Sequence, residues 1–142
     1  MYRKWFAPLL VLTLALAHVW LFALAWATPG RWIGAYALGL FGSTITADVC
    51  AALACALITS LPLAYLAGLA GGPVGRRLAI IAMPLAWILY ELVRVPLPPH
   101  SWRALAQPLV IQIIFIGLLT VEGTVPGARL HLRLSRARAP AP

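Results

Sequence analysis

The chain has 142 residues, of which 63% are apolar and 10% charged, with a mean hydropathy of +0.93. That balance excludes an ordinary water-soluble domain and makes lipid the expected solvent. Eleven Lys and Arg against three Asp and Glu leave a net charge of +8, but the basic residues sit between apolar runs, which points to membrane orientation and not to a nucleic-acid partner.

A bilayer crossing takes about 20 mostly apolar residues, and four stretches meet this, at about 5–27, 48–69, 78–97 and 104–121. The predicted fold is therefore an all-α polytopic integral membrane protein. It has a four-helix transmembrane domain over 1–127 and a basic tail over 128–142 that ends in Pro and Ala. "YRK", an apolar run and "AWA" before Thr28 mimic a secretory signal. The apolar run exceeds the roughly 7 to 15 residues of a signal core, so an uncleaved first helix is expected.

After this helix, "TPGRWIGAYALGLFGST" begins with turn residues and continues as an apolar piece carrying Trp32 and Tyr36. Too short to span, it is predicted to be an interfacial segment. Asp48, preceded by "STITA", reads as the N-cap of the second helix. Within that helix Cys50 and Cys55 are five residues apart and point away from each other, against a shared metal or a disulfide. Its small residues, Ala51, Ala52, Ala54, Ala56 and Gly68, with Gly71 and Gly72 after them, favour close helix contact, within a bundle or with another membrane subunit.

"GGPVGRR" at 71–77 reads as a tight turn into the third helix, where Glu91 and Arg94 stand three residues apart with Trp87 one turn below. At 1.5 Å per residue from Leu78, Glu91 lies roughly 20 Å along the helix, and His18 lies at about the same height counted from Trp5. Gln112, in the fourth helix running the other way, falls near the same level. His18, Glu91, Arg94 and Gln112 thus form a candidate polar layer inside the membrane. Buried charges there cost a few kcal/mol and ordinarily have partners. "PLPPHSW" at 96–102 reads as a rigid connection.

In the tail, Leu alternates with Arg or His from 129 to 134, a pattern that a strand could also use. Arg129, Arg133, Arg136 and Arg138 are expected to contact anionic lipid. Counting loops, eight basic residues fall on the side of the termini against Arg31, Arg94 and Arg103 on the other. The positive-inside rule then puts both termini in the cytoplasm of a bacterial-type inner membrane.

"ALACALITSLPLAYLAGLAGG" followed by "GRRLAIIAMPLAWILYELV", about a quarter of the chain, resembles the helix pair of many ABC-transporter permeases. Their coupling loop, with its Glu-Ala-Ala and Gly pattern, has no counterpart in "GGPVGRR", so the resemblance implies no shared activity. His18, His100 and His131 sit at different levels, against a haem pair. With no HExxH, phosphate loop or nucleophile elbow in the sequence, no cofactor or metal is expected.

The functional expectation is a non-enzymatic accessory or partner subunit of a membrane assembly, contacting lipid and either another membrane protein or copies of itself. The alternatives are a small oligomeric proton-linked transporter built around Glu91, and a lipid-modifying enzyme recruiting Arg94, His100 and Arg103.

Overall fold

The computed structural model describes residues 3–94 and 102–137, and these are helical except at Gly42 and Ser43. Three helices are long and apolar enough to cross a membrane: Trp5–Phe41, Thr44–Arg94 and Ala106–Ala137.

The first comprises α1 (Arg3–Ala25), a π-helical turn (Trp26–Gly30) and α2 (Arg31–Phe41). Pro29 explains the turn. A proline has no N–H to give to the carbonyl four residues back, and its ring pushes that carbonyl away; one wide turn absorbs the clash without ending the helix. Thr28 Oγ1 donates to Leu24 O at 2.7 Å, holding the turn together. The expected break near residue 27 is therefore corrected: the segment placed at the interface continues the first helix. It ends at Gly42, left-handed at φ 64°, whose N–H donates to Leu38 O at 2.8 Å.

Ser43 starts the next helix, its Oγ accepting from Thr46 N at 3.3 Å. Asp48 lies inside this helix and is not its cap, because the serine five residues earlier already fills that role.

α3 (Thr44–Arg94) consists of two helices that meet at a kink, where Gly72 is non-helical at φ 57° and ψ −143°. Only glycine adopts such a conformation readily. Residues 67 and 75 would lie about 12 Å apart along a straight helix. Here a Cβ on Gly75 would collide with Ala67 O, so the chain doubles back at Gly72. Pro73, whose φ suits the first turn of a helix, opens the second limb. We call 44–71 the first limb and 73–94 the second.

α4 (Trp102–Ala137) continues well past residue 121. Gly123, Pro126 and Gly127 look like helix breakers in the sequence. The two glycines instead let the backbone close onto the first limb, where Cβ atoms on them would meet Leu61 O and Tyr65 O. Gly68 likewise faces Thr124 O. Such glycine-mediated approach suits apolar surroundings, where helices associate by van der Waals packing. The segment expected as a tail is helical to Ala137, which places Arg129, Arg133 and Arg136 on one stripe at i, i+4 and i+7.

Contacts fix the helix directions. Ala7 lies beside Gly71, His18 beside Ser60 and Gly30 beside Cys55, so α1 and α2 run antiparallel to the first limb. Phe22 meets Trp87 on the second limb, and Trp87 meets Gln112 of α4. Among the described elements α1, α2 and α4 all pack on α3, while α1 and α4 do not pack on each other. The core between them holds Val11, Phe22, Met83, Trp87 and Ile116 with the small residues Ala52, Ala56, Ala64 and Ala67.

Gly72→Ala would force a side chain into the left-handed region and against the His131 ring, 2.8 Å away. We expect it to lower unfolding stability in detergent by about 1–2 kcal/mol or more. Gly39→Ala, which meets nothing within 4 Å, should be neutral or slightly stabilising. Equal stability of the two variants would contradict the reversal.

Candidate functional site

The four residues of the expected layer lie on three different helices, and two of them are inside the core. His18 of α1 is 0% exposed and Gln112 of α4 is 5% exposed. His18 Nε2 lies 2.8 Å from Ser60 Oγ of the first limb, while its Nδ1 is buried without a partner among the described residues. This fits Nε2–H donating to the serine, since a bare acceptor is more readily tolerated than a bare N–H. Gln112 Oε1 accepts from Trp87 Nε1 at 2.9 Å, joining α4 to the second limb.

Glu91 and Arg94 form an ion pair at 3.0 Å near the end of the second limb, their side chains 12% and 54% exposed. The carboxylate is sheltered while the guanidinium reaches outward, in keeping with a long basic side chain that keeps its head in polar surroundings. Arg94 also sits 5.9 Å from the centre of the Tyr90 ring, within cation–π range.

These groups are linked through aromatic rings and not through a shared polar pocket. Phe22 contacts His18 at 5.6 Å and Trp87 at 4.6 Å between ring centres, and Trp87 contacts Tyr90 at 5.3 Å. A chain of rings thus runs from His18 to Arg94. The geometry brings His18, Gln112 and Arg94 onto this ladder and ties Glu91 to it through Arg94. The ladder buries His18, Phe22 and Trp87 and fixes the polar groups in pairs.

Further polar residues take part that the sequence reading did not single out. Ser60 partners His18, and Thr120 Oγ1 donates to Met83 Sδ at 3.6 Å. His131, expected in a solvated tail, places Nδ1 2.7 Å from Leu69 O, so its N–H can serve one of the carbonyls left open where the first limb ends. The Gly-x-x-x-Gly spacing of Gly123 and Gly127 was a readable signal for their contact with the first limb. Cys55 is buried and free, its Sγ against the π turn at Gly30, and Cys50 is free.

Arg129, Arg133 and Arg136 are exposed along α4; Arg138 and His100 lie outside the described residues. Arg129 shares a groove with Arg76 and Arg77 of the second limb. Comparison with protein-family models, curated proteins and solved structures gives no match.

In a double-mutant cycle, Trp87→Phe and Gln112→Leu should show a coupling of about 1 kcal/mol in detergent unfolding, typical of an intramembrane hydrogen bond. A coupling of zero would mean that this bond does not hold α4 to α3.

Proposed function

We propose that the chain is a non-enzymatic partner subunit of a larger membrane assembly and crosses the bilayer four times, through α1, the two limbs of α3 and α4. At 1.5 Å per residue the limbs measure about 42 Å and 33 Å, each enough for a hydrocarbon core of about 30 Å. The charge distribution supports both termini on the cytoplasmic side of a bacterial-type inner membrane. α1 opens with Arg3 and Lys4, the reversal at Gly72 is followed by Arg76 and Arg77, and the stripe Arg129, Arg133 and Arg136 ends α4, all at one end of the bundle. Arg31 and Arg94 are at the other end.

The observation that carries the partner reading is the far end of the α2–α3 hairpin. Phe22 is level with Trp87, so Arg94, the last described residue of the second limb, stands near the height of residue 29. α2 and the facing start of α3 extend about 15 Å beyond the height of Arg94. Among the described elements α2 touches only α3 and the π turn. Trp32 is 80% exposed and Tyr36 71%, with Leu40, Phe41 and Ile45 exposed beside them. We assign this apolar face, which no helix other than α3 covers among the described elements, to a partner protein within the membrane. His18, Trp87, Gln112, Glu91 and Arg94, by contrast, make their polar contacts within the chain.

Replacing Trp32, Tyr36 and Phe41 together by Ala should leave a folded chain but reduce the mass of the complex extracted from membranes in mild detergent. Glu91→Gln should leave that mass unchanged. Native mass spectrometry of the intact complex separates a foreign partner from a second copy. A wild-type chain that is monomeric when extracted, with a pH-dependent flux in proteoliposomes that Glu91→Gln abolishes, would contradict the partner reading and favour transport.

A further inference from the structure

Between the second limb of α3 and α4, at the basic end, lies a groove of about 510 Å³. Arg76, Arg77 and Arg129 line it together with Ile80, Val125 and Leu132. All three arginines are exposed, and none has a carboxylate within ion-pair distance: the one ion pair among the described residues is Glu91 with Arg94, toward the opposite end. Of the other two acidic residues, Asp48 lies on the first limb toward that same opposite end. Glu122, about 10 Å along α4 from Arg129, lines a different groove with Leu61 and Tyr65. Three guanidinium groups therefore line one groove without a counter-charge among the described residues.

We infer that this groove is a binding site for a phosphate-bearing anionic membrane lipid. Guanidinium groups present paired donors that match the oxygens of a phosphate, and basic pockets between membrane helices on the cytoplasmic side are suited to anionic head groups. The apolar half of the groove decides between a lipid and a free phosphate. Ile80, Val125 and Leu132 give an acyl chain a bed that inorganic phosphate would not use, beside a chain whose outer faces are already lipid-like. A zwitterionic lipid fits less well, because its ammonium group would add a fourth positive charge to three. Arg129 begins the stripe that continues through Arg133 and Arg136, but only Arg129 lines the groove. The site requires residence in a bilayer and does not depend on a partner subunit, so its failure would leave the partner reading standing.

The test is native mass spectrometry of the delipidated full chain titrated with phosphatidylglycerol or phosphatidylcholine. One phosphatidylglycerol should be retained in preference to phosphatidylcholine. Arg129→Gln should weaken its binding about fivefold and Arg76→Gln with Arg129→Gln about thirtyfold, while Arg133→Gln with Arg136→Gln should change it less than about twofold. Leu132→Trp keeps every charge and fills the groove; it should also lower binding, and it serves if the charge variants do not fold. Equal retention of both lipids, equal loss in the Arg133 and Arg136 variant, unchanged binding in Leu132→Trp, or displacement by inorganic phosphate at the lipid's own concentration would each overturn the site.

Discussion

The reversal at Gly72 is the constraint on which the rest of the fold depends. Without it α3 would be a single rod of about 76 Å, and neither α1 nor α4 would find two limbs to pack against. With it, the limbs lie close enough that Gly75 meets Ala67 O, and every other helix docks on the resulting hairpin. The turn is held from outside as well as by its own backbone. His131 of α4 covers Gly72 and is bonded to Leu69 O, so the last helix locks the fold of the middle one.

Association of helices in an apolar medium cannot draw on the exclusion of water, since lipid is as apolar as the side chains it would replace. What remains is close packing and hydrogen bonding, and both are visible. Gly68, Gly123 and Gly127 bring two backbones together, and Ala64 and Ala67 keep the first limb narrow. His18 with Ser60 and Trp87 with Gln112 then tie α1 and α4 to opposite limbs. The small residues of the first limb, which could have served an external partner, are used internally. Trp32 and Tyr36 of α2 remain exposed.

The apolar runs made the helical, lipid-facing character legible, and the spacing of Glu91 and Arg94 made their pairing legible. The ends of the helices were harder to read. "TPG" at 28–30 and "EGTVPG" at 122–127 carry the residues that stop a helix in water, where released backbone groups find new partners. Inside a membrane they find none, and the helix persists through a wide turn or a close neighbour. Asp48 resembled a cap because its own neighbours are all that sequence shows, and Ser43 competed for the same role from five residues away. Counting rise per residue put His18 and Gln112 at one height. It could not identify Ser60 and Trp87 as their partners, because the count gives depth and not the direction in which a side chain faces. His131 read as part of a charged tail for the same reason: the carbonyl it serves is 62 positions earlier in the chain.

The four-crossing topology proposed on the basis of the reversal at Gly72 is open to one direct measurement. In a background with Cys50 and Cys55 replaced by Ala, single cysteines at Arg77, Ser135 and Gly39 can be labelled with a membrane-impermeant thiol reagent from either side of sealed vesicles. Four crossings place residues 77 and 135 on the same side and residue 39 on the opposite one. Labelling of 77 and 135 from opposite sides would contradict the helical hairpin within the membrane, and with it the bundle built on α3.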